Sequence, residues 1–240
     1  MTSAPFRTAP YAPGRLTDIH LPAVSGAGPA PVVLLWHGSG PNERDVLRPL
    51  AQEAAGLGLL VLVPDWNAEQ PDGGRAELLA SLARARRIAT EHGGDPTRFV
   101  LAGWSMGGRE AIAVATHPGT PAELRPVAAV GIASHYSTKA VTTGEAPLDH
   151  LAAGPSPVPL RLVHGTADDI VDVGHTRRLS AALTQQMSAV RVLELPTDHA
   201  GVVMTAYRPE ARRCLPATDA DTLTAGRRTA AVLADAAGLS

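Results

Sequence analysis

The chain carries one cysteine, Cys214, in 240 residues. No intramolecular disulfide can form, so the fold must be held by its core, and a reducing, cytoplasmic location is expected. Basic residues form no block: one lysine, Lys139, and twenty arginines are scattered among 23 acidic residues, and the formal net charge is -2. A nucleic-acid footprint and an anionic-membrane patch are therefore not expected. The N-terminal stretch MTSAPFRTAPYAPGRL has no apolar core of the kind a signal peptide needs. The longest apolar runs, such as GLLVLV, are far too short to span a bilayer. Internal repeats, a P-loop, a Gly-x-Gly-x-x-Gly after a strand and a His-x-x-x-His helix pair are missing as well. No metal or organic cofactor is expected.

What is present is a regular alternation. Short β-branched or Leu-rich runs occur at 31–36, 58–63, 98–103, 127–133, 159–164 and 190–195. An alternating run at 16–21 reads as an edge strand. Helix-like stretches lie between them at 43–56, 75–92, 105–117, 174–188 and 220–237. The central runs are apolar on both faces, as strands covered by helices on both sides must be. The spacing predicts one α/β domain over 1–240 with a mainly parallel sheet, and an irregular segment over 1–15. The Pro- and Gly-rich pieces at 22–31 and 144–159 read as loops.

Ligands of such sheets bind beyond the C-terminal strand ends. There the chain places HGSG, PDW, WSMGG, SHY, GTADD and PTDHAG in turn. Gly103-Trp104-Ser105-Met106-Gly107 follows a strand and opens a helix, the placement of a nucleophile elbow. The Gly-x-Ser-x-Gly pattern alone is weak in a chain with 23 glycines, and could be a tight packing turn. A serine hydroxyl needs a base. His199, in the loop after the last strand, is the best placed of nine histidines, whereas His164 at a strand end reads as buried. Asp168, with Asp169 in reserve, supplies the carboxylate that fixes the imidazole. Backbone N–H groups of Ser39 and Met106 would form the oxyanion hole. Trp104, His135 and Tyr136 lie near strand ends and could line the substrate pocket, as could Trp36 and Trp66. Cys214 stands apart from any base and reads as a bystander.

With HGSG, VPDW, DPTRFVLAGWSMGG, HGTADDIV and DHAG in this order, the chain resembles the α/β-hydrolase family of serine esterases over about residues 16 to 237. Asp95-Pro96-Thr97-Arg98 before the elbow strand is similar to the dienelactone-hydrolase and prolyl-oligopeptidase-like branch. The dienelactone enzymes usually carry a cysteine nucleophile, so Ser105 here points to a general carboxylesterase-like activity. The resemblance implies eight strands with the second antiparallel, against seven runs found. The stretch STKAVTTGEAPLDHLAAGPSP is short for a cap, so an open site without a large cap domain is expected.

The expected reaction is hydrolysis of a small-molecule carboxylic ester or thioester through a Ser105-His199-Asp168 triad and an acyl-enzyme. Acyl transfer or ring closure with the same triad remains open. A peptidase lacks room for a gating propeller domain, and a non-catalytic binding module would be expected to lose a triad member. A homodimer is compatible with the sequence.

Overall fold

The structure, a computed structural model, describes residues 6–23 and 28–239. Among the described residues, ten strands and six α-helices follow one another. The main sheet has eight strands: β1 (Phe6–Ala12), β2 (Arg15–His20), β3 (Ala30–Trp36), β4 (Leu60–Pro64), β5 (Gly94–Trp104), β6 (Ala128–Ile132), β7 (Leu160–Gly165) and β8 (Val190–Leu195). The helices are α1 (Arg48–Gly56), α2 (Arg75–Glu91), α3 (Met106–Thr116), α4 (Pro147–His150), α5 (Gly174–Gln185) and α6 (Ala220–Ala236). A separate hairpin, β9 (Thr205–Arg208) with β10 (Arg213–Pro216), follows the last sheet strand.

Strand order is β1-β2-β4-β3-β5-β6-β7-β8. β2 runs antiparallel to both neighbours, and the ladder from β4 to β8 is parallel. This is the α/β-hydrolase fold. The β6–β7 connection holds only the four-residue α4 and a 3₁₀ turn at 151–153, so among the described residues it builds no large cap over the C-terminal strand ends.

Period-two alternation explains the two layers. Val33, Leu35, Val61, Val63, Val100 and Ala102 pack on α1 and α6. Their sequence neighbours Val32, Leu34, Leu60, Leu62, Phe99 and Leu101 pack on the other face, against Leu78, Leu82 and Ala85 of α2 and Ala111 of α3. Leu179 and Leu183 of α5 close that face over β6 and β7. Each such Val or Leu contributes about 1.5–3 kcal/mol by leaving water.

Two expectations are corrected here. The segment 1–15 is not irregular where it is described: Phe6–Ala12 is the eighth strand, paired antiparallel with β2. The helix expected from residue 43 begins at Arg48, because 41–47 forms turns that carry the loop after β3.

Candidate active site

β5 ends at Trp104 and α3 begins at Met106, so Ser105 alone makes the turn. Its backbone sits at φ 55°, ψ −125°, where an L-residue is strained. Neighbouring bonds hold it there. Ser105 N–H donates to Ile132 O at 2.9 Å, and Ser105 O accepts from Gly108 N–H at 3.0 Å and from Ser134 Oγ at 2.6 Å. The flanking glycines are required by close approach. A Cβ on Gly103 would lie 2.2 Å from Gly107 O, and one on Gly107 would lie 2.3 Å from His37 O. The helix thus begins directly against the ends of β3 and β5, with its positive dipole end at Ser105.

Asp168 and His199 arrive from the loops after β7 and β8. His199 Nδ1–H donates to Asp168 Oδ2 at 2.8 Å. The Asp168 side chain is fully buried, while Asp169 is exposed. Asp168 Oδ1 accepts from the N–H groups of Ile170 and Val171 at 3.0 and 2.8 Å. Burial pushes the Asp168 carboxyl up, but hydrogen bonds from His164, His199 and Val171 outweigh it and hold the group well below the usual carboxylate range. The carboxylate is therefore an anion at any working pH.

His164 is a partner that the sequence pattern did not assign. It is buried, as its strand-end position suggested. Its Nε2–H, which faces the Val171 carbonyl at 2.8 Å, also lies 3.3 Å from Asp168 Oδ2, and its Nδ1 accepts from Thr176 Oγ1 at 2.7 Å. Asp168 is thus gripped by two imidazoles. A histidine four residues before the acid, at the end of the same strand, was the available signal.

The loop after β3 comes against the elbow at Gly38, where a Cβ would stand 3.5 Å from Ser105 Cβ. His37 fixes this loop. It is fully buried, its Nε2 accepts from Trp66 N–H at 3.2 Å, and its Nδ1 contacts Gly38 O at 3.0 Å. Burial pushes its pKa down to about 3, so it stays neutral. Ser39 follows, exposed, and Gly40 N–H donates to Glu43 Oε2 at 3.1 Å to close the turn. Met106, as the first helical residue, carries an N–H that the helix itself cannot pair.

The expected pocket residues divide. Trp104 meets His199: its Nε1–H donates to His199 O at 2.9 Å, and the rings are tilted at 5.1 Å. His135 is half-buried, with Nε2 at 3.3 Å from Arg109 and Nδ1 at 2.9 Å from Thr138 Oγ1. Tyr136 is not a pocket residue. It is fully buried and packs in the core with Ile112, Leu160 and Leu179, its hydroxyl against Gly131. Trp36 and Trp66 are likewise fully buried core residues. Cys214 is half-buried, and burial pushes its thiol pKa up.

Among the described residues, one group of side chains is disposed to hold a cation, and it involves His117 past the C-terminal end of α3. Eleven helical residues, about 16 Å, separate that end from Ser105. No described helix is long and apolar enough to cross a membrane.

No protein-family model matches the chain, and no curated protein matches it. Solved structures do. Esterase 2 of Thermogutta terrifontis phosphorylated by paraoxon superimposes with a TM-score of 0.73 at 18% identity, covering 98% of this chain and 93% of that one. The butyrate-bound thermophilic esterase from the same organism gives 0.74 at 18% identity, over 96% and 92%. The form phosphonylated by sarin gives 0.74 at 16% identity, over 98% and 95%. At these identities the likeness is one of fold.

Proposed function

We propose that the protein is a serine hydrolase that cleaves a carboxylic ester or thioester of a small molecule. Ser105 is the nucleophile, His199 the base and Asp168 the carboxylate that orients it. Because Nδ1–H of His199 is committed to Asp168, Nε2 is the nitrogen left to take the Ser105 proton. Attack on the carbonyl gives a tetrahedral oxyanion, which the N–H groups of Ser39 and Met106 receive. Protonation of the leaving group by His199 releases the alcohol or thiol and leaves an acyl-Ser105. Water, deprotonated by His199, then frees the acid.

The observation that carries this reading is a conjunction at one sheet edge. A strained serine heads a helix, and a histidine bonded to a buried, strongly acidic aspartate stands on the adjacent loops. The fold neighbours, an esterase phosphorylated by paraoxon and a butyrate-bound form of a thermophilic esterase, support the same chemistry. The absence of a large cap favours small and medium acyl groups.

The test is intact-protein mass after incubation with a fluorophosphonate. One adduct is expected on the wild type and none on Ser105→Ala, with ester turnover lower by about 10³–10⁶ in the variant. A folded wild-type protein that takes no adduct would overturn the hydrolase mechanism.

A further inference from the structure

We propose that His117, Glu145 and His150 form a binding site for a divalent zinc-class cation, separate from the Ser105 site. His117 caps the C-terminal end of α3, Glu145 lies in the loop before α4, and His150 ends α4. One ligand atom from each lies within 4.8 Å of the others.

His150 gives the site its direction. Its side chain is completely buried, yet Nε2 has no hydrogen-bond partner among the described residues. Its other nitrogen is committed. Thr116 Oγ1 donates its one proton to Ile112 O at 2.8 Å, so at 2.9 Å from His150 Nδ1 it accepts, and Nδ1 carries the hydrogen. The bare lone pair is therefore on Nε2. An imidazole held through Nδ1–H, with Nε2 free, has the orientation used by metal-bound histidines. Glu145 Oε2 stands 3.7 Å from that nitrogen, too far for a hydrogen bond. Two donors that share a tetrahedral zinc at about 2.1 Å each are ~3.4 Å apart, so a small movement of Glu145 completes the pair. Glu145 can move, being 60% exposed. The His117 ring lies edge-on to His150 with centroids at 4.9 Å.

Ligation has one local cost. His117 Nδ1 accepts from Gly119 N–H at 3.1 Å, and metallation through either ring nitrogen gives up that bond. Gly119 is exposed, so water replaces it. Two imidazoles and one carboxylate with a remaining position for water suit zinc, cobalt or nickel and do not suit calcium, which takes six or more oxygens. The ion would tie the far end of the α3 helix to the β6–β7 connection that crosses its surface.

The experiment uses tag-free full-length protein stripped with a chelator, then titrated with Co²⁺ and Zn²⁺. One Co²⁺ per chain is expected, with the intense visible bands of a four-coordinate ion, displacement by Zn²⁺ and a rise in Tm. Glu145→Gln and His117→Gln, both away from the core, should fold and bind Co²⁺ about 10-fold or more weakly. His150→Gln should do the same, but its buried position makes the other two decisive. Wild-type protein that takes up no Co²⁺, or equal uptake by Glu145→Gln and His117→Gln, would overturn the proposal. So would six-coordinate Co²⁺ spectra unchanged in the variants.

Discussion

His199 and Asp168 are joined by a 2.8 Å hydrogen bond whose acceptor oxygen also lies 3.3 Å from His164. The acid is therefore fixed from two sides before it fixes anything itself. Its two oxygens receive two side-chain and two backbone donors, so rotation of the carboxylate would break several bonds at once.

Replacing Asp168 by Asn tests that relationship. The amide cannot accept from His199 and His164 as an anion does, and the wrong imidazole tautomer is favoured. We expect kcat for an activated ester to fall by about 10⁴, with the fluorophosphonate reaction slowed in parallel. Asp169→Asn, at the exposed neighbour, should stay within about twofold of wild type. Equal losses in the two variants would remove Asp168 from its assigned place.

Gly107→Ala tests the approach of α3 to β3. The added methyl would meet the carbonyl oxygens of His37 and Trp36 at 2.3 and 2.5 Å, and both are backbone atoms that cannot swing away. Either the helix or the Gly38 loop must shift. Activity should drop by about 10² or more, with a lower Tm. Gly56→Ala is the control: a Cβ there meets nothing within 4 Å, and alanine is the better helix former by about 0.5–1 kcal/mol. Its Tm should hold or rise.

The sequence made the sheet legible because its central strands have apolar residues on both faces, which few other arrangements produce. β1 escaped notice for the opposite reason. FRTAPYA is mostly exposed, contains Pro10 and has an irregular register between Pro10 and Ala12, all features of an edge strand, and of its seven residues only Tyr11 is buried, in the cluster that α2 covers. The β9–β10 hairpin is similarly exposed and short. Strand ends told where the polar residues gather, but not which way each one faces. Tyr136 lies just past β6, four residues after Ile132, yet it turns inward onto Gly131, a vacancy no local pattern displays. The partnership of His164 with Asp168 depends on how the loop 166–171 folds back, which is tertiary.

Trp104→Phe should separate positioning from packing. Phenylalanine keeps an aromatic surface beside His199 but removes the Nε1–H bond to His199 O. A neutral hydrogen bond is worth about 0.5–1.5 kcal/mol, or up to roughly tenfold in rate if its loss is felt in the transition state. Steady-state kinetics should show kcat reduced about 3–10-fold with KM little changed. A change confined to KM would make Trp104 a substrate contact instead.

Buried neutral histidines set the acid limit of the fold. His20 is fully buried, stacks on Phe6 at 5.5 Å, and neither ring nitrogen has a hydrogen-bond partner among the described residues. Burial, helped by Arg48 and opposed by Asp18, pushes its pKa down to about 4. In the unfolded chain an imidazole titrates near 6.5. Between those values the unfolded state binds the proton and the folded state does not, so stability is full above about pH 6.5 and falls as the pH drops toward 4. His37, pushed down to about 3, acts in the same sense. Asp168 acts in the same sense but at lower pH: its depressed pKa adds stability above the ordinary carboxylate value, and that part is lost only below about pH 4. The window from 6.5 to 4 therefore belongs to the histidines. His20→Phe, which keeps a ring against Phe6, should flatten the Tm–pH curve there and gain a few kcal/mol on wild type by pH 4. Parallel Tm–pH curves for the two proteins would show that His20 takes up its proton in the folded state as readily as in the unfolded one.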